Sequence, residues 1–579
     1  MTQNLKTDVL IIGGSIAGLA AAITAKENDP KLDVLVVEKY TTGYSGKANR
    51  GAGIMAMRAE YTSEQFMEYQ ISRIGKYLND QTMLRVVADS MNDSVMDLDR
   101  WSNGKFDKDE TGAIRTLKWR SLLRGVSDDG VYDFDQDNEY PWRLAAIDLD
   151  YLLEVRKYAI RLGISIVDRI GVTDLTTDEN GITGAVGFGI DTCEKHVFTA
   201  RAIVLATGAQ NYRIMPMWSP GRGEGTLMAW RVGASLANGE FCSFYNWMSP
   251  HNFESEMGAE YGLYNDKGEN VGLPHTVEPH PDIDQDSLAE YYKQMKAGNG
   301  PMHYHPEDNI MTPYTRSMLG SDAAYYKRPY TNKLWGKLIF NAASQTPDDL
   351  IIPGLIAEYS ALQVGLDMMT RVPGLFAAGD ICYAGTRGYG AVPVSPGRIR
   401  GNGLGFAVSS GWLAGPNAAR YAADARIPAD NTETGIVTDA EKRFTAPMSR
   451  TGDTSVNEFV LEIQKVMQPL GNSLYRHETR MKRALERIIE LKDQTSRVDA
   501  KNPHHLFGAN EIDAMLLCAE MFFRASLERR ESIGWFLRED YPDPPKELQW
   551  IVVENDGGSP KIKKERVPVE TYQFKPEQA

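Results

Sequence analysis

Cysteine is scarce in this chain. Cys193, Cys242, Cys382 and Cys518 are scattered through 579 residues, and no Cys-x-x-Cys pair occurs. The chain therefore encodes no iron–sulfur or zinc framework of its own. A run of roughly 18 apolar residues, the length that crosses a bilayer, is also missing, and no membrane span is expected. Positive charge is in deficit: 63 Lys and Arg stand against 78 Asp and Glu, a net charge of −15. Nucleic acids and anionic membranes reward basic surfaces, so neither is an expected partner. A small anionic ligand would instead need a local cluster of arginines. No charged segment followed by an apolar core precedes the first strand at Val9, so no secretory signal is read. A reduced, cytoplasmic protein is expected. Internal repeats and low-complexity tracts are lacking as well.

What is present is length, apolar content and one informative stretch. Hydrophobic residues make up 42% of the chain, enough for sizeable cores. At roughly 150 residues per domain, about three or four units are expected. Asp8 to Lys39 reads DVLIIGGSIAGLAAAITAKENDPKLDVLVVEK. The pattern predicts a strand over Val9–Ile12, a helix over Ala17–Lys26 and a second strand over Val34–Val37 ending on Glu38. Gly13 and Gly14 let the backbone turn tightly and approach a pyrophosphate, with Ser15 at the third motif position. The helix that follows aims its N-terminal amides and dipole at the phosphates. Ala17 lies in its first turn, and Gly18 permits close helix–strand packing. The Glu38 carboxylate is suited to a ribose diol. An acid there favours an unphosphorylated adenosine ribose, hence FAD or NAD over NADP.

The rest of the chain is read around that unit. YTTGYSGKANRGAGIMAM, after Lys39, is a small-residue loop expected to touch cofactor through Ser45, Gly46, Asn49 and Gly51. Asp80–Trp101 has helical apolar spacing, and Asp148–Leu162 predicts another helix before a strand near Ile164–Asp168. Val172–Val186, with Asn180-Gly181 at its turn, predicts a hairpin. The strand Ala202–Leu205 stops at Ala206-Thr207-Gly208, where Thr207 and Gly208 would reach the same cofactor from a second side. Gly221–Gly233 is a glycine turn opening a helix. From about Cys242 to Ala342 the texture changes to aromatics, Pro, Asn and five histidines, read as an insertion. Strand–turn–helix patterning returns over 351–420. Met467–Lys492 and Ala509–Ser532 predict amphipathic helices, and the last 25 or so residues read as a charged arm against a partner.

Several spaced motifs then carry a resemblance. GGSIAGL with Glu38, Ser45-Gly46, ATG at 206–208, GRGEG at 221–225, PGLFAAGD at 373–380, RIRGNGLGFAVSSGWLAG at 398–415 and RRESIGWFLREDYP at 529–542 occur in that order. Together they resemble the flavoprotein subunits of succinate dehydrogenase and fumarate reductase, L-aspartate oxidase and the alpha subunit of adenylylsulfate reductase. The resemblance implies an α/β fold: a Rossmann-like FAD-binding domain split over 1–241 and 346–428, an inserted α+β capping domain over 242–345, and a C-terminal helical domain with a charged tail over 440–579. It implies FAD, with substrate between cap and flavin. Asp380 would hold the ribityl chain, Lys39 and Glu224 would make further cofactor contacts, and the backbone of Asn402, Gly403 and Leu404 would meet the flavin's pyrimidine edge.

Departures from the family pattern bear on the substrate. Where succinate dehydrogenases carry the histidine of a covalent flavin, this chain has Gly46, so a noncovalent FAD is expected. Ser45-Gly46 and GAVGFGI at 184–190 are most similar to the adenylylsulfate reductase branch. Tyr245 stands where fumarate reductases have a histidine, and no arginine occurs between Arg231 and Arg316 to serve as their cap proton shuttle. Ala56 and the Val394-Ser395-Pro396-Gly397 run differ in turn from the adenylylsulfate reductase pattern. Arg398 aligns with the arginine that clamps a substrate carboxylate, a fork suited to carboxylate or sulfonate, with Arg400 as a second candidate. Tyr245 and His251 are candidate proton carriers in the cap. The alternative for each is a structural side chain, which is the favoured reading for His303, His305, Arg529, Arg530 and Arg538. No metal is expected.

The expected function is hydride transfer between flavin N5 and a small anionic substrate, with electrons exchanged with a ferredoxin-like iron–sulfur subunit. Four alternatives remain: a stand-alone FAD oxidase of an amino or hydroxy acid, the alpha subunit of an adenylylsulfate reductase, a fumarate reductase, and a flavin held only structurally. Self-association is left open.

Overall fold

The computed structural model describes residues 3–49, 53–117, 140–214, 221–242, 244–248, 255–256, 259–273, 285–305, 308, 350–355, 359–388, 402–428 and 435–576. Its centre is a sheet begun by β1 (Gln3–Ile12), α1 (Ile16–Asn28) and β2 (Val34–Glu38). Val9 to Ile12 are all buried, as expected of a parallel strand covered on both faces. α2 (Gln81–Trp101) is capped by Asp80, whose carboxylate accepts from the amides of Thr82 and Met83. Next come α3 (Tyr151–Arg161), β3 (Ser165–Asp168), β4 (Ile170–Asp178), β5 (Gly181–Gly189) and β6 (Lys195–Leu205). The β4–β5 hairpin turns at Asn180-Gly181, where the pattern places it.

The sheet order is β3-β2-β1-β6-β5-β4. β1, β2, β3 and β6 run parallel, while β5 is antiparallel to both β4 and β6. After α4 (Glu224–Arg231) and the short β7 (Leu236–Ala237) come β8 (Phe244–Met248), α5 (Gln285–Lys296) and β9 (Ile352–Leu355). β8 and β9 pair antiparallel. β10 (Leu375–Ala377) then returns to the central sheet beside β6, in register Leu375↔Ile203 to Ala377↔Leu205.

α6 (Asn402–Asp424) lies along α1 through a seam of small residues. A Cβ at Gly411 would stand 2.3 Å from the Ala17 carbonyl oxygen, and one at Gly415 2.3 Å from that of Ala21. The glycines therefore set how closely the two helices approach.

The C-terminal region holds α7 (Val456–Met467), α8 (Glu478–Asp493), α9 (Pro503–Glu528), β11 (Gln549–Asp556) and β12 (Ser559–Arg566). Three sequence expectations need correction. The single helix expected over Met467–Lys492 is two. α7 ends at Met467, then Pro469 opens a separate helical turn over Leu470–Ser473 before His477 caps α8. α7 opens with a capping box between Ser455 and Glu458. The helix expected from Ala509 starts earlier, where Asn502 caps Pro503, and stops at Glu528. The tail is not a free arm. β11 and β12 form a hairpin whose first strand pairs with β7, and the Trp550 indole donates to the Leu78 carbonyl at 2.7 Å. Among the described residues, no helix is long and apolar enough to cross a membrane.

Candidate cofactor and active site

The carboxyl ends of the parallel strands converge on one edge of the sheet. Three backbone bonds tie the turns that leave it: Gly13 N to Val37 O at 2.9 Å, Ala206 N to Ile12 O at 2.8 Å, and Ala378 N to Leu205 O at 2.9 Å. A ligand that spans several strands binds outside this edge. Gly13 sits at φ +112°, and a Cβ there would meet the Ala206 carbonyl oxygen at 2.3 Å. Gly18 passes the Gly13 oxygen so closely that a Cβ would stand 1.9 Å from it. Ser15 is the N-cap of α1 in an extended conformation, and its side chain makes no capping bond.

Glu38 closes β2 and is buried. Its Oε2 accepts from the Gly14 amide at 2.6 Å, and its Oε1 accepts from the Tyr40 amide at 3.0 Å. Each carboxylate oxygen retains accepting capacity for a ribose hydroxyl. Across the edge, Thr207 Oγ1 is buried without a hydrogen-bond partner, as is Asn402 Oδ1 at the start of α6. Gly208 and Gly403 face open space, since a Cβ at either would meet nothing within 4 Å. Orphaned buried polar atoms beside glycine-lined space are what a bound polar cofactor would leave behind, so the residues fit a dinucleotide. Gly379 packs against α1, where a Cβ would lie 2.8 Å from Ala17 Cβ, and its amide donates to Ser410 Oγ at 2.9 Å. Asp380 follows it and lies 3.5 Å from Lys47 Nζ.

The loop after β2 lies over the α1 N-terminus. Gly46 has φ +90°, and a Cβ there would meet Ser15 Oγ at 2.7 Å, so this backbone leaves no place for a larger residue. Ser45 Oγ accepts from the Thr41 amide at 2.9 Å, and Asn49 Nδ2 donates to the Tyr44 carbonyl at 2.7 Å. Both side chains hold the loop itself.

Lys39 and Glu224 pair with each other at 2.7 Å, and Lys39 reaches Glu511 of α9 at 2.6 Å. Burial alone would lower the Lys39 pKa, but the two carboxylates outweigh it and hold the ammonium charged. Burial likewise pushes Glu511 up, yet Lys39, Arg213 and Arg222 bring it below the ordinary carboxylate range. Glu511 was not anticipated, because it sits in an apolar helix 472 residues from its partner. A charged residue inside GANEIDAMLL was the one signal for it.

Gly51, His251, Arg398 and Arg400 lie outside the described residues; Tyr245 is placed by its backbone on β8. Leu404 stands in the first turn of α6, and the Asn402 side chain donates to the Tyr383 hydroxyl at 3.0 Å. His305 stacks on Tyr264 with centroids 4.0 Å apart, and His303 lies 3.5 Å from Asp266. The described residues contain no cluster of His, Cys, Asp and Glu that could hold a metal. Arg529 and Arg538 are buried, paired with Glu240 and Asp540 at 2.7 Å each.

An FAD binding domain family matches residues 8–260, and a fumarate reductase flavoprotein C-terminal family matches 461–579. A fumarate reductase (CoM/CoB) chain from Methanothermobacter marburgensis is 24% identical over 594 residues, covering 95% of this chain and 97% of that protein. The chain belongs to the fumarate reductase/succinate dehydrogenase flavoprotein family. It is an FAD-dependent oxidoreductase. Among solved structures, E. coli quinol fumarate reductase FrdA superposes with a TM-score of 0.78 at 18% identity, covering 100% of this chain and 99% of that one. Adenylylsulfate reductase from Archaeoglobus fulgidus superposes at 0.72 and 20% identity, covering 99% and 98%. The convergent edge of the central sheet, with its glycine turns and orphaned polar atoms, is the candidate site for FAD.

Proposed function

We propose that the chain is the flavoprotein subunit of a cytoplasmic reductase or dehydrogenase. It transfers hydride between a noncovalent FAD and a small anionic substrate and exchanges electrons with an iron–sulfur partner chain. The reading rests above all on the buried Glu38 carboxylate, which accepts from the Gly14 amide ahead of α1, together with the orphaned Thr207 and Asn402 oxygens. FAD, when bound, supplies the two-electron chemistry.

The chain's own residues supply position and charge. Glu38 and the Gly13–Ser15 turn hold the adenosine and pyrophosphate end, Asp380 the ribityl chain, and the α6 amides at Asn402–Leu404 the pyrimidine edge. That N-terminus favours negative charge beside it. Arg398 clamps the substrate anion, while Tyr245 or His251, carried by the cap over 242–345, moves the proton. The left-handed Gly46 beside Ser15 supports noncovalent attachment, since a histidine in this backbone would be strained and would have to displace the Ser15 side chain. All four cysteines are unpaired and suit a reducing compartment. They are too dispersed for a cluster, so the iron–sulfur centre is assigned to a second chain.

Native purification followed by flavin and iron analysis tests the proposal. FAD released by acid, together with iron in a co-eluting second chain, is the expected result. Flavin that stays with the precipitated chain overturns noncovalent attachment. FAD without iron, in a protein that reoxidises rapidly in air, overturns the partner in favour of a stand-alone oxidase.

A further inference from the structure

The Glu539 carboxylate collects groups from two parts of the molecule. From α5 in the cap come Lys296 Nζ at 2.5 Å and the Tyr292 hydroxyl, which donates at 3.1 Å. From α8 comes the Arg480 guanidinium. The Tyr292 ring also stacks on Tyr475, with centroids 3.9 Å apart and planes 10° from parallel. One position earlier on α5, buried Tyr291 packs on Trp247 at 5.5 Å. Trp247 belongs to β8, two residues beyond Tyr245. Neighbouring residues on one cap helix thus touch the C-terminal region on one side and the strand that carries Tyr245 on the other.

The C-terminal side of this contact is rigid. Tyr475-Arg476 pairs in parallel with Leu537-Arg538, and the Glu539 amide donates to the Arg476 carbonyl at 2.8 Å. Arg476 is fully buried between the rings of Phe522 and Phe536, at 4.7 and 4.2 Å. Arg538 is held by Asp540 and by the Ser526 and Arg529 carbonyls. Among the described residues the cap side is lighter: Lys296 and Tyr292 reach across from a single helix. Polar contacts of this size between parts of a chain can open and reclose, whereas a large apolar interface would be permanent.

We propose that Glu539, with Tyr292 and Tyr475, is a positioning site that holds α5 against the C-terminal region and thereby sets the β8 strand, with Tyr245, over the flavin. The proposal rests on the cap-over-flavin reading, and its test separates the two. Holoenzyme carrying Glu539→Ala or Tyr292→Ala is compared with wild type by hydrogen exchange over 244–248 and 285–296, and by iodide quenching of flavin fluorescence. Lys293→Ala on the same helix, an exposed side chain paired with Glu290 at 3.1 Å, is the control. Amide exchange over 244–248 is expected to rise on the order of tenfold in both latch variants and to stay unchanged in the control. Glu539→Asp is expected to restore protection. Unchanged exchange over 244–248, or an increase confined to 285–296, overturns the proposal. If exchange over 244–248 rises as expected, the latch stands, and iodide quenching then reads the cap: increased quenching supports its place over the flavin, and unchanged quenching removes that reading alone.

Discussion

At the scale of single residues, Glu38 has a structural duty and, in the proposed function, a cofactor duty as well. Its two oxygens already satisfy the Gly14 and Tyr40 amides, so Glu38→Ala removes the ribose acceptor and strands two donors of the phosphate turn. About 2 kcal/mol of charge-assisted bonding is lost, which weakens FAD roughly 30-fold. Glu38→Gln keeps a carbonyl acceptor and costs roughly tenfold. FAD titration of the apoprotein measures both. The acid was legible in the sequence because its position at the end of the second strand is fixed by local chain geometry. Glu511 was not, because its meaning depends on Lys39, Arg213 and Arg222 arriving from distant segments.

Glu511 also carries a pH dependence. Its folded pKa lies below the ordinary 4.5, so its stabilisation is present above that value and lost as pH falls through the folded pKa. Lys39 has the opposite sign: its folded pKa is raised, so its share is present below about 10.5 and lost only at higher, extreme pH. Glu511→Gln leaves Arg213 without its carboxylate and Lys39 with Glu224 alone, and is expected to cost about 3 kcal/mol. In urea unfolding at several pH values, the variant should lose less stability than wild type on acidification below pH 4.5. An unchanged acid limb would mean that other carboxylates set it.

At the scale of elements, the α1–α6 seam shows what packing asks of small residues. The βαβ unit was legible because its strand and helix periods are local, and the small-residue character of α6 was equally plain. The identity of its partner was not, because α6 stands 374 residues after the end of α1. Gly411→Val would drive a branched side chain into the Ala17 carbonyl, where even a Cβ stands at 2.3 Å. Overpacking of this kind costs about 1–3 kcal/mol. Because Ala17 is in the first turn of α1, the helix proposed to face the phosphates, FAD affinity should fall together with thermal stability. Lost stability with unaltered FAD affinity would uncouple the seam from the cradle. The α7–α8 break was missed for a related reason: the apolar spacing continues across Pro469, so the period alone does not reveal the turn.

At the scale of the whole molecule, the tail decides between two pictures of the C-terminus. Charge and proline content suggested an arm reaching for a partner. The β11–β12 hairpin instead closes on its own chain through β7, through Trp550 on Leu78 and through Arg387, which lies 4.5 Å from the Trp550 ring and pairs with Glu565 at 2.7 Å. Charge was a poor guide because the lysines lie on the edge strand β12, where they serve to discourage pairing with another chain, while the apolar residues of β11 are buried. Deleting 549–579 should therefore expose the apolar surface that Trp550, Ile551, Val552 and Val553 bury. It should also free Arg387 just before the segment that bears Arg398. Expected results are a lowered apparent melting temperature, aggregation on heating and reduced FAD retention in the isolated chain. Trp550→Ala should show the same direction at a cost of about 3–5 kcal/mol. A truncated chain that melts as wild type, keeps its FAD and loses only a co-purifying partner would return the tail to the role of an arm. The two outcomes differ in the isolated chain, before any partner is added.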